Sequence, residues 1–270
     1  MDYNYITEVI NGGIQMNKTI AVTKDNYFED TGHMSVSRFK RFNKCELDGV
    51  LNPKFNSSAL LMGSYIDSFV EGTLDKFKEE HPELISSRGV TKGSLKAEFS
   101  QADEICEFIE KDKTIQQFLS GSKQEVMVGE ISGVPFKIMM DSYSKGIAIS
   151  DLKVMRSITN RDGGYYDFVT AWGYNYQLAC YQNVVFQKTG ELLPCFIVVV
   201  TKETPINSAI IQIDQSTLDV ALYEVEQNIE RFYDIMQGTI EPVGCGICSS
   251  CIAQRVDTPI ISMMDLQNNS

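Results

Sequence analysis

Residues 140–153 read Met140-Asp141-Ser142-Tyr143-Ser144-Lys145-Gly146-Ile147-Ala148-Ile149-Ser150-Asp151-Leu152-Lys153. Lys145-Gly146 is a hairpin turn signal between two apolar runs, so Phe136–Tyr143 and Ile147–Met155 are expected as paired strands. Asp151 and Lys153 stand two apart on the second of these and share a face, while Asp141 lies in the first. Charged groups inside apolar strands are costly unless they are paired or bind a metal. Two carboxylates beside a lysine suit phosphodiester hydrolysis. The carboxylates hold a hard Mg²⁺ or Mn²⁺ ion. The ion polarises the phosphoryl oxygen and lowers the pKa of bound water. The lysine orients that water or stabilises the developing negative charge. An acid-x-Lys triplet arises easily by chance, and a surface strand pair with a solvated salt bridge is the competing reading. The strand setting and the neighbouring Asp141 favour a site.

Outward from this hairpin the pattern stays legible. Glu125–Ile131 alternates as a strand, and Gly133-Val134-Pro135 reads as a turn. Tyr165–Lys188 reads as a long helix closed by Gly190. Cys195–Lys202 is a buried strand, Ser208–Ile213 another strand, and Asp214–Met236 a helix stopped by Gly238. Toward the N-terminus, residues 1–33 are polar and mixed, a loosely held lead segment. Ser35 is placed to cap a helix through Phe39 and Phe42, broken at Asn52-Pro53. Ala59–Phe77 and Ser94–Leu119 read as helical regions separated by a loop over Pro82–Gly93. The expected class is α/β (α+β): a small mixed sheet flanked by helices, with a helical N-terminal portion. One domain is expected over 34–241, its helical part at 34–120 and its α/β core at 121–241. A cysteine-rich segment, 242–270, is expected to pack on it.

Two helical features sit beside the carboxylate–lysine strand in this scheme. Gln177 and Tyr181 are four apart, hence on one helix face, where they either pack or position a DNA end. Asp67 lies in an apolar helix within Gly63-Ser64-Tyr65-Ile66-Asp67. It reads equally as a third metal ligand or as a solvent-facing residue, and the small Gly63 as a point of close packing.

The chain has seven cysteines and two histidines. Cys245, Cys248 and Cys251 follow one another at three-residue steps among glycines, a metal-loop spacing one ligand short of a tetrahedral set. Cys106, Cys180 and Cys195 lie in apolar patterns and read as core. Cys45 ends the basic run Arg38-Phe39-Lys40-Arg41-Phe42-Asn43-Lys44 and is the candidate fourth thiolate. The bland alternative is a set of free, reduced thiols. His33 and His81 lie in polar, loop-like settings, which argues against serine–histidine or cysteine–histidine catalysis. No phosphate-cradling Gly-x4-Gly-Lys-Ser/Thr occurs.

The 270 residues carry a formal charge of −12. That average disfavours nucleic acid. The positive charge is uneven, however: Arg38, Lys40, Arg41 and Lys44 bunch in one segment, and Arg156 and Arg161 follow the lysine strand, a candidate DNA path. No apolar run approaches a membrane span. The first residues lack the basic start and apolar stretch of a signal peptide, so a soluble cytoplasmic protein without membrane partners is expected.

Together these segments resemble the PD-(D/E)XK nucleases of the RecB/lambda-exonuclease-like group, above all phage and prophage exodeoxyribonuclease VIII-like enzymes. The resemblance spans about residues 34–266. It rests on 34–45, on Leu61-Met62-Gly63-Ser64-Tyr65-Ile66-Asp67, on Gly133–Asp141, on Ile149–Lys153, on Gln177–Tyr181 and on Cys245–Cys251. It implies a restriction-endonuclease-like core with Asp141 and Asp151 as metal ligands and Lys153 as the catalytic lysine. Gln177 and Tyr181 match the group's Gln-x3-Tyr motif. Relatives often carry a metal-binding histidine where this chain has Asp67. Some members bind a [4Fe-4S] cluster through one N-terminal and three C-terminal cysteines, the layout of Cys45, Cys245, Cys248 and Cys251, and zinc is the alternative. The implied function is a metal-dependent DNA exonuclease acting at duplex ends in phage recombination or repair, with a single-strand annealing partner and homo-oligomers known in the group. The rival readings are a structure-specific endonuclease and a non-catalytic DNA-binding module on the same scaffold.

Overall fold

The structure is a computed structural model that describes residues 21–52, 57–159, 164–258, 260 and 262–264. Its strands in chain order are β1 (Glu125–Ile131), β2 (Val134–Met140), β3 (Ser142–Ser144), β4 (Ala148–Met155), β5 (Cys195–Thr201) and β6 (Ser208–Gln212). β1 and β2 form a hairpin, and the others form a sheet ordered β3-β4-β5-β6. β4 and β5 run parallel, and the remaining pairs are antiparallel. The parallel step is bridged by α7 (Phe168–Ala171) and α8 (Tyr174–Thr189). The other helices are α1 (Val36–Lys44), α2 (Glu46–Leu51), α3 (Ser58–Glu71), α4 (Leu74–Glu80), α5 (Ala97–Lys111), α6 (Lys113–Phe118), α9 (Gln215–Met236) and α10 (Ser249–Ala253).

The continuous apolar run of β5 has a partner on each face. Ile197 and Val199 join a core with Leu178, Val184 and Val185 of α8, Val225 and Ile229 of α9, and Phe39 and Phe42 of α1. Val198 and Val200, on the opposite face, join Leu152 of β4, Met62 and Ile66 of α3, and Phe99 and Ile105 of α5. Side chains that alternate across a strand therefore feed two separate cores, which is why no polar face shows in the sequence of β5.

Several expected boundaries move, each for a local reason. The helix expected to run to Asn52 breaks at Cys45, whose backbone is extended (φ −165°, ψ 119°). Ala59–Phe77 divides at Gly72, whose left-handed φ of 76° lets its amide close α3. Ser94–Leu119 divides at Asp112, whose carboxylate accepts from the amides of Thr114 and Ile115 and starts α6. Tyr165–Lys188 divides at Trp172-Gly173. The tight turn falls on Ser132 and Gly133, both at positive φ, so Val134 and Pro135 lie within β2. Of the lead segment expected over 1–33, residues 1–20 lie outside the described residues, and residues 24–30 dock on β2. Lys137 of β2, buried, donates to the carbonyls of Tyr27 and Asp30 at 2.6 Å each and pairs with the Asp30 carboxylate at 2.9 Å.

The most consequential shift is at Asp141. The expected strand Phe136–Tyr143 is two strands, because the chain leaves β1 at Met140 and joins β4 at Ser142. Asp141 is the joint between the two sheets. Gly121 permits this: the segment before β1 lies so close to β3 that a Cβ there would meet the Tyr143 carbonyl carbon at 2.5 Å.

Candidate active site

On β4, Ile149 and Met155 face the core built on α8. Asp151 and Lys153 occupy the intervening positions of the same face and interrupt its apolar alternation. Asp151 is 2% exposed and ion-paired through Oδ2 to Lys153 Nζ. Its other oxygen, Oδ1, accepts from Gln177 Nε2 of α8 at 2.7 Å, and the same nitrogen lies 3.0 Å from the Tyr181 hydroxyl. Gln177 thus orients the buried carboxylate, and the Tyr181 hydroxyl, accepting from the same nitrogen one turn on, helps hold Gln177.

Asp141 fills a gap in the ladder. β3 pairs with β4 only as far as Ser142↔Ser150, and beyond it the Leu152 amide donates instead to Asp141 Oδ2 at 3.0 Å. Gln124, in the segment that Gly121 admits, is 3.4 Å from the other oxygen. Burial and the charge of Asp151 hold the Asp141 carboxyl well above its usual range, against the pull of Lys153 and the Leu152 amide. Burial, together with Asp151 and Glu71, pushes Asp67 up to about 7, again against Lys153. Burial opposes the charge on Lys153, but Asp151 and Asp141 outweigh it and raise its pKa.

Asp67, Asp141 and Asp151 therefore share one lysine. Such crowding of buried carboxylates raises protonation unless a cation intervenes. Oxygen donors of this kind suit a divalent metal, and Asp67, half-buried, lies within electrostatic reach of Asp151 and Lys153. Gly63, one turn before Asp67, is not a packing contact: a Cβ there would meet nothing within 4 Å.

Two further cations reach this centre, Lys40 and Lys123. Lys40 of α1 and Lys153 lie 5.4 and 5.1 Å from the Tyr174 ring. Burial and the charge of Lys153 push the Lys40 ammonium down to about 8. Lys123 feels Asp141 and Glu71 and is lowered by burial. Sequence reasoning placed Lys40 on a DNA path and missed Lys123, Gln124, Glu71 and Tyr174. No local pattern marks them, since each reaches the site from a separate element. The rest of the proposed basic path is less uniform. Arg41 is engaged by Asp48 at 3.5 Å and Asn52 at 2.7 Å. Arg38 is partly buried over the Phe42 ring. Lys44 and Arg156 are exposed. Arg161 lies outside the described residues.

The cysteines form a second cluster. The sulfurs of Cys45, Cys245, Cys248 and Cys251 all lie within 4.8 Å of one another. Cys45 Sγ is 3.6 Å and Cys245 Sγ 3.9 Å from Cys251 Sγ. The break between α1 and α2 turns Cys45 into this group. The amides of Cys245, Cys248 and Cys251 point at the sulfurs of Cys45, Cys245 and Cys248 at 3.3–3.5 Å. Hydrogen bonds from the Ile247 and Cys248 amides bring the Cys245 thiol down to about 6, which favours its thiolate form. Cys106, Cys180 and Cys195 are buried elsewhere. The segment is pinned by Glu46, which accepts from Arg231 Nε at 2.7 Å and from the Val243 amide at 2.7 Å.

The family model described as a PDDEXK-like domain of unknown function (DUF3799) matches residues 35–254. Among solved structures, the chain is similar to the crystal structure of a protein from Eubacterium rectale named "Putative exonuclease". The TM-score is 0.83 and the identity 43%, over 92% of this chain and 98% of that one. No curated protein matches. No helix among the described residues is long and apolar enough to cross a membrane.

Proposed function

The chain belongs to the PDDEXK-like DUF3799 family, a nuclease fold, and from that premise we propose that it is a metal-dependent DNA exonuclease acting at duplex ends. The observation that carries the proposal is the meeting of Asp141, Asp151 and Lys153 on one face, with Gln177 holding the central carboxylate. The name of the Eubacterium rectale structure favours exonuclease over endonuclease. Asp67, Asp141 and Asp151 would hold Mg²⁺ or Mn²⁺. When bound, the metal supplies Lewis-acid charge to the phosphoryl oxygen and an activated water. Asp151 keeps Lys153 charged and aimed, so that its Nζ donates to the attacking water or to the phosphoryl oxygen as negative charge develops. Lys40, close by over the Tyr174 ring, adds positive charge for the neighbouring phosphate.

Purified protein is tested on linear and on closed circular duplex with Mg²⁺. Degradation of the linear form alone, abolished by Lys153→Ala, is the expected result. Cutting of circles indicates the endonuclease reading, and DNA binding without cutting of either form indicates a non-catalytic module. Resemblance to phage exonucleases extends the proposal to resection in phage recombination beside a single-strand annealing protein, tested by co-purification with a phage-encoded annealing protein from the same genome.

For the cysteine cluster we propose zinc. Tetrahedral Zn–S bonds of about 2.3 Å set sulfurs roughly 3.8 Å apart, close to the 3.6 and 3.9 Å of two of the six pairs, with none beyond 4.8 Å. A four-iron cluster, each cysteine on a different iron, needs wider spacing. Metal analysis should give about one zinc per chain and no iron. A brown, iron-rich preparation would reverse the assignment.

A further inference from the structure

The loop between β4 and α8 exposes aromatic side chains beside the catalytic centre. Tyr165 is 82%, Tyr166 37% and Trp172 59% exposed. Their placement is ordered. Tyr165 bridges to Thr159, and the Tyr166 hydroxyl lies 3.5 Å from the Ser157 carbonyl, so this stretch runs back along the residues that follow β4. The Tyr166 ring meets Phe168 at 5.7 Å, and Phe168 meets Tyr174 at 6.5 Å between centroids. Tyr174 in turn lies under Lys153 and Lys40, and Lys40 Nζ is bonded to the Trp172 carbonyl at 2.7 Å. Ring contacts thus connect the half-exposed Tyr166 through the buried Phe168 to Tyr174 beside Lys153, and the Trp172 backbone holds Lys40 at the same place. The exposed Arg156 stands three residues beyond Lys153 on the same chain.

Exposed apolar side chains grouped in one patch, unlike those scattered singly, mark a binding surface. Aromatic faces interleaved with cations fit one ligand chemistry well: unpaired bases stack on the rings while lysine and arginine follow the phosphates. We propose that Tyr165, Tyr166 and Trp172 form a stacking platform for unpaired nucleotides of the strand that enters the catalytic centre. The proposal rests on the nuclease reading and adds the form of the substrate: a frayed or single-stranded end rather than a closed duplex terminus. Stacking on the platform would hold the end open, since bases bound there are withdrawn from pairing.

Trp172 is the chain's one tryptophan, so its fluorescence reports this place alone. The measurement titrates wild-type protein with oligonucleotides whose linkages are hydrolysis-resistant phosphorothioates, either blunt duplex or duplex with a single-stranded overhang. The expected result is quenching of Trp172 emission by the overhang substrate, with about tenfold weaker overhang binding in Trp172→Ala and a smaller loss in Trp172→Phe, which keeps a ring. Tyr165→Ala is the second variant, read by the same affinity ratio of overhang to blunt DNA. Binding of both substrates without quenching, and with that ratio unchanged in both variants, overturns the platform while leaving the nuclease reading intact, and would assign the patch to a protein partner. Failure to bind either DNA overturns the nuclease reading itself.

Discussion

At the scale of single residues, the site hangs on one buried carboxylate. Asp151 has both oxygens engaged, one by Lys153 and one by Gln177, so its orientation is set before any substrate arrives. Lys153→Ala should lower kcat by roughly 10²-fold or more, measured as release of nucleotides from linear duplex. A residual rate close to wild type would remove Lys153 from the chemistry. Gly63 gives a prediction of the opposite kind. The sequence suggests close packing there, yet the position opens onto free space within α3. Gly63→Ala should therefore raise stability by about 0.5–1 kcal/mol through helix propensity, read as a higher Tm. A lower Tm would restore the packing reading. Asp141, Asp151 and Lys153 were legible in the sequence because charges in an apolar alternation stand out over a few residues. Lys40 in its catalytic surroundings, Lys123 and Glu71 were not, because nothing local marks a charge that becomes important only when another element arrives beside it.

At the scale of elements, most of the strands and helices follow their patterns, and the departures occur where a side chain or glycine overrides them. The joint at Asp141 is one case: apolar alternation continues through Tyr143, but the hydrogen-bonding partner changes from β1 to β4. The docking of residues 24–30 on β2 is another. Burial works against ionisation of Asp30, but the hydrogen bonds and charges of Lys137 and His33 win and hold its carboxyl below the usual value. Asp30→Asn leaves the Lys137 ammonium, whose side chain is 6% exposed, without its counter-ion. The expected loss is about 3 kcal/mol, the low end for breaking a buried pair, since two carbonyls still serve Lys137. Because the folded pKa is depressed, this contribution is present in full above the unfolded value of about 4 and is lost as the pH falls through the folded one. Denaturant titrations of wild type and Asp30→Asn should therefore differ at neutral pH and converge in acid. A gap that persists in acid would show the pair is not its source.

At the scale of the whole molecule, the cysteine cluster joins residues 206 apart, Cys45 and Cys251. Closing so long a loop through a metal would restrict the unfolded chain as a cross-link does, worth about 5 kcal/mol on a loop-entropy scale. Removal of the metal by chelation, or Cys245→Ser, should lower Tm by about 10 °C. An unchanged Tm with the metal gone would make the cluster irrelevant to stability. The net charge of −12 is likewise a whole-molecule quantity that says little about local charge, since Lys40, Lys123 and Lys153 stand near Asp141 and Asp151, where the metal is proposed to bind. By itself the amino-acid sequence determined the order of strands and helices, the faces that turn inward, and that Asp151 and Lys153 share one face of a strand, because these follow from spacings of two to four residues. Only the tertiary structure decided that Asp67 and Lys40, from separate helices, come within electrostatic reach of Asp151 and Lys153, that Asp141 caps β4, and that Tyr166 connects through Phe168 to the Tyr174 ring beside Lys153. Periodicity tells a side chain which way to face but not what it will meet, and those meetings are set by packing between segments far apart in the chain.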